Sequence, residues 1–123
     1  MKNLLVEDHP ALTEITCNQL REIHDHEVRP VANGAAALTA IADFRPDLVL
    51  LDLHLPDMTG YEVARQLRAD ERNAVVVVAL TGFGSEIHPI HASESGIDAH
   101  FRKPMDFELL PTIKRTVRDG QLK

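Results

Sequence analysis

Three carboxylates, a hydroxyl and an amine stand where this sequence lets them act together. Glu7 and Asp8 follow the aliphatic run Leu4-Leu5-Val6, and Asp52 closes the run Leu48-Val49-Leu50-Leu51. Thr81 follows Val75-Val76-Val77-Val78-Ala79-Leu80, and Lys103 follows Ala99-His100-Phe101-Arg102. Carboxylates brought together repel, and each holds its proton more tightly unless positive charge offsets the cluster. Lys103 supplies one such charge. A hard divalent ion with oxygen ligands, most simply Mg²⁺ with Mn²⁺ as substitute, supplies the rest. Mg²⁺ takes one or two carboxylates, several waters and a phosphate oxygen, so the set describes a phosphoryl site. A carboxylate beside such a metal can attack phosphorus and form an aspartyl phosphate. Each residue alone reads as a helix cap or a solvated turn. Their recurrence at the ends of different aliphatic runs is the signal.

The elements that must position them alternate. The runs are apolar at every position, as suits strands buried on both faces of a parallel sheet; Val28-Arg29-Pro30-Val31 and Ala99-His100-Phe101-Arg102 are weaker strands. Between them lie helical segments. Pro10 opens the first at a position where a proline costs no hydrogen bond, with Leu12, Ile15, Leu20 and Ile23 following. Asn33-Gly34 opens the second, which Arg45-Pro46 ends, and Thr59-Gly60 precedes the third. A poorly patterned fourth runs from Glu86 to Ser95, and Asp106 caps a fifth bearing Leu109, Leu110, Ile113 and Val117. Five strands alternating with five helices predict a doubly wound α/β domain, and in such sheets the ligand site lies beyond the carboxyl ends of the strands.

Composition narrows the function classes. The 123 residues, 44% hydrophobic, fit one domain over 1–123 and leave no room for an appended DNA-binding module. With 13 Lys+Arg against 19 Asp+Glu the net charge is −6, and no basic patch is present, so direct DNA binding is not expected. No apolar run approaches the ~20 residues that span a bilayer, and no signal peptide precedes the fold. The single cysteine, Cys17, cannot form an internal disulfide, suits a cytoplasmic setting, and reads as a packing residue.

The sequence resembles the receiver domain of two-component response regulators. The blocks that carry the likeness are Val6-Glu7-Asp8, Leu50-Leu51-Asp52-Leu53-His54-Leu55-Pro56 with Gly60, Ala79-Leu80-Thr81-Gly82 and Arg102-Lys103-Pro104. The resemblance implies a (βα)5 flavodoxin-like fold of strand order 2-1-3-4-5 with helices on both faces. It implies that Asp52 takes a phosphoryl group from a sensor histidine kinase or histidine phosphotransfer protein, with no enzymatic activity beyond self-phosphorylation and autodephosphorylation. Glu7, Asp8, Asp52 and the backbone carbonyl of His54 would hold Mg²⁺; Thr81 and Lys103 would bind phosphoryl oxygens, with the Lys103-Pro104 peptide in the cis form. Movement of Thr81 toward the phosphoryl group, followed by inward rotation of a ring on the fifth strand, would shift a two-state population. The surface of the fourth helix, fifth strand and fifth helix would change for an unidentified output partner.

The sequence departs from the family at several places. The switch ring is His100 rather than Tyr or Phe, which introduces a titratable nitrogen. Pro89 and Pro111 fall in the fourth and fifth helical segments, predicting a short or bent fifth helix and an unusual partner surface. His54 and Phe83 flank the expected phosphoryl group without an acid or amide to orient water, predicting a long-lived phosphoaspartate. The pairs His24/His26 and His88/His91 lack a third ligand at matched spacing, so they read as surface residues. A small-molecule phosphatase with an aspartyl nucleophile is the competing reading, but it wants an Asp two residues on, where His54 stands. A flavodoxin-like cofactor binder would place small residues, not Glu7-Asp8, after the first strand. Beginning at Met1, with a short polar tail after the last helix, the sequence favours a free-standing regulator over a piece of a hybrid kinase.

Overall fold

The computed structural model describes residues 1–23, 26–69, 75–81, 95–102, 111, 112, 114 and 115, with Thr81 described in its backbone alone. In chain order these give β1 (Lys2–Val6), α1 (Pro10–Glu22), β2 (Glu27–Val31), α2 (Gly34–Phe44), β3 (Leu48–Asp52), α3 (Gly60–Ala69), β4 (Val76–Thr81) and β5 (Ala99–Arg102). The strands form one five-stranded sheet of order β2-β1-β3-β4-β5, and every pairing is parallel. The parallel α/β sheet is the one the alternating runs predict, and its strand order is the one the family resemblance implies.

Pleating splits the core in two. Leu4, Val6, Val49, Leu51, Val77 and Ala79 point to the face covered by Ala37, Ile41, Val63 and Leu67 of α2 and α3. Their neighbours Leu5, Leu48, Leu50, Val76, Val78 and Leu80 point to the other face and meet Cys17 and Leu20 of α1. That alternation is why the central strands need an apolar residue at every position. The edge strands are half-exposed: β5 alternates between half-buried and exposed, and in β2 Val28 alone is buried. Pro30 is tolerated because Glu27 and Val31 bond toward β1, which turns the proline's missing donor outward.

The helix ends follow local chemistry. Asn33 caps α2 by accepting the Ala36 N–H at 2.8 Å, and Arg45 ends it in the left-handed conformation, φ 52°, directly before Pro46. His9 caps α1 through its ring nitrogen, with Pro10 in the first turn. Two apolar residues of α1 face solvent. Leu12 and Ile15 are exposed, 39% and 54%, because the face turned to the sheet carries Cys17 and Leu20. At about 100° per residue, Ile15 lies on the far side of the helix from Cys17.

Most of the fourth and fifth helical segments lies outside the described residues, including Asp106 and Pro89. Pro111 has helical backbone and is exposed; the course of the helix around it is outside the described set.

Candidate functional site

Strand register assembles the site. Val6 pairs with Leu51 across β1 and β3, so the residues that follow, Glu7 and Asp52, emerge side by side with Asp8 next to them. Carboxylate oxygens of Glu7, Asp8 and Asp52 all lie within 4.8 Å of one another. Glu7 is buried, Asp52 half-buried and Asp8 exposed. Among the described residues this is the one group of three or more His, Cys, Asp or Glu side chains placed to share an ion. Three carboxylates this close are unfavourable without compensating positive charge. The donor set, all oxygen and partly accessible, fits a hard divalent cation.

Hydrogen bonds hold the acidic groups in place. The Glu7 N–H donates to the Val31 carbonyl at 3.0 Å, and Glu7 Oε1 accepts the His9 N–H at 3.3 Å. Asp52 Oδ1 accepts the His54 N–H at 3.0 Å. The loop beyond Asp52 then folds back: His54 bridges to Thr59, and the Gly60 N–H donates to the Leu53 carbonyl at 3.0 Å. Gly60 is required by contact. A Cβ there would lie 2.5 Å from the Asp52 carbonyl oxygen and 2.9 Å from Leu53 Cα.

The other predicted site residues are placed to different degrees. The backbone of Thr81 ends β4 at the same sheet edge, one residue beyond Leu80, which pairs with Asp52. Its side chain, together with Phe83, Lys103 and Pro104, lies outside the described residues. His100 pairs with Ala79 on β5 and is exposed. His26 meets Asn3, whose Nδ2 lies 2.8 Å from His26 Nδ1; His24, His88 and His91 are outside the described set.

Sequence reasoning missed Asp57. Its two oxygens accept the Gly34 and Ala35 N–H groups at 2.9 Å each, and those bonds hold its carboxyl below the usual carboxylate range. A separation of 22 or 23 residues left no local pattern to find it by.

Comparison with known proteins decides the family. A family model described as "Response regulator receiver domain" matches residues 4–114. The chain belongs to the response regulator receiver domain family. This receiver is 39% identical over 96% of its length to the DNA-binding response regulator MtrA of Mycolicibacterium smegmatis, covering 51% of that protein. It is 32% identical over 94% of its length to the DNA-binding dual master transcriptional regulator RpaA of Synechocystis, covering 48% of it. Among solved structures, the BeF3-activated receiver domain of Klebsiella pneumoniae RstA superposes with a TM-score of 0.81 at 31% identity, over 96% of this chain and 99% of that one.

The chain thus spans about half the length of the curated relatives it matches. These relatives overturn the expectation that DNA binding is excluded. The charge of a receiver reports on its own surface, and the relatives named for DNA binding are about twice as long. Among the described residues no helix is long and apolar enough to cross a membrane.

Proposed function

We propose that Asp52 of this receiver accepts a phosphoryl group from the phosphohistidine of a sensor kinase or phosphotransfer protein. The convergence of Glu7, Asp8 and Asp52 at one sheet edge supports this reading most strongly. Because Oδ1 accepts the His54 N–H, we assign Oδ2 as the nucleophile. Oδ2 attacks phosphorus as the bond to the imidazole nitrogen breaks; the imidazole keeps that electron pair and takes up a proton. Water later attacks phosphorus and returns the carboxylate. No external substrate is turned over.

Glu7, Asp8, Asp52 and the His54 carbonyl would hold Mg²⁺, which when bound neutralises the cluster and draws charge from the phosphoryl oxygens. Thr81 and Lys103 would bind those oxygens. We assign His100 to the ring that reports the change to the surface around β5. The DNA-binding relatives make control of DNA binding the output class we assign.

Incubation with acetyl phosphate and Mg²⁺, read by intact mass, tests the reading. The native chain gains one phosphoryl mass, and gains none with EDTA or as Asp52→Asn. Equal gain in Asp52→Asn overturns it.

A further inference from the structure

The loop between β3 and α3 is fastened to an element outside the acidic site. Asp57 is an exposed loop residue, yet both of its oxygens engage the first two amides of α2, on Gly34 and Ala35. A carboxylate here is favoured by charge-assisted hydrogen bonding and by the positive end of the helix dipole. The rest of that helix terminus is served locally: Asn33 Oδ1 takes the Ala36 N–H, and the Asn33 carbonyl takes the Ala37 N–H. Asp57 therefore completes the terminus and binds it to a distant loop at once.

A second contact backs the clasp. Met58 packs against the core and lies against Gly34, where a Cβ would come within 2.5 Å of Met58 Cγ and 2.6 Å of its sulfur. Consecutive loop residues thus grip one helical turn, Asp57 by its amides and Met58 by its glycine surface. The loop's other hydrogen bonds run within the segment from Asp52 to Gly60 and from the first turn of α3 to Thr59, while Leu53 and Leu55 pack on the core. Among the hydrogen bonds described, those of Asp57 alone tie the loop to α2.

We propose that Asp57 is a positioning residue, which clasps α2 so that the loop bearing His54 stays in register with Asp52 for cation and phosphoryl binding. The inference rests on the phosphoacceptor reading of Asp52. It adds a dependence of the site on α2, an element that contributes no carboxylate to it.

The test compares native chain, Asp57→Ala, Asp57→Asn and Asn33→Ala. Asn33→Ala removes a cap from the same helix while leaving the loop's own contacts intact. Two readouts apply: amide hydrogen exchange at Gly34, Ala35 and His54 without metal, and the Mg²⁺ concentration giving half-maximal phosphorylation by acetyl phosphate. For Asp57→Ala we expect faster exchange at all three amides and a half-saturating Mg²⁺ concentration raised about three- to tenfold. Asp57→Asn, which keeps one acceptor, falls between, and Asn33→Ala leaves the Mg²⁺ requirement near native. Unchanged His54 exchange and Mg²⁺ requirement in a folded Asp57→Ala overturns the inference, as does an equal shift in Asn33→Ala. Failure of the native chain to gain phosphoryl mass overturns the reading of Asp52 instead, and leaves the exchange result to judge the clasp.

Discussion

At the scale of single residues, charge and burial set the properties that can be measured. Burial raises the Cys17 thiol above its usual range, against a smaller opposing effect of Arg21, in keeping with a packing role. Asp47 behaves in the opposite way. Burial works to raise its pKa, but the Lys2 N–H at 2.8 Å and the Lys114 ammonium at 3.0 Å outweigh it and hold the carboxyl low. A carboxyl that ionises more readily in the native state stabilises the fold above the unfolded value of about 4. That contribution is lost as pH falls through the lower native value. Melting temperature should therefore fall on acidification below about pH 4, and Asp47→Asn should melt lower at neutral pH with a shallower acid loss. Asp52, Glu7 and Asp8 were legible because strand ends announce themselves in sequence. Asp57 was not, because its meaning lies in amides more than twenty residues away.

At the scale of elements, close approach matters more than propensity. Sequence placed Thr59-Gly60 at the start of α3, but why a glycine must stand there is visible only where the helix meets the Asp52 carbonyl. Gly60→Ala should cost about 1–3 kcal/mol by urea denaturation, since backbone rather than a flexible side chain must yield. It should also slow phosphoryl gain from acetyl phosphate, because the displaced atoms belong to Asp52, the proposed phosphoacceptor. A variant with native stability and rate would mean that the loop relaxes freely. In α1 the apolar residues were legible but not which of them face the sheet. Leu12 and Ile15 look like core residues by type, and the orientation of the helix leaves them in solvent.

For the whole molecule, the acidic cluster and the Arg68 clamp occupy opposite ends of the strands. The acidic cluster lies at the carboxyl ends of β1 and β3, whereas Arg68 of α3 ties down the opposite end. Its guanidinium donates to the Val75 carbonyl at 2.8 Å and the Gly96 carbonyl at 3.1 Å and pairs with Asp98. Asp98 also accepts the Val77 N–H at 2.8 Å. Gly96, at φ 87°, gives the Arg68 side chain room that a Cβ would fill. Arg68→Ala should cost about 2 kcal/mol, below the range for fully buried pairs because the site is partly open. Below its melting temperature it should leave the Mg²⁺ requirement for phosphorylation unchanged, since the clamp lies at the other end of the strands. The sequence by itself determined the alternation of strands and helices, the two-sided burial of the central strands and the acidic residues at their ends. Each of those is written in the types of neighbouring residues. Tertiary structure alone decided the contacts of Asp57 with α2 and of Arg68 with Gly96 and Asp98, because they join segments that are distant along the chain and meet only when the sheet has formed.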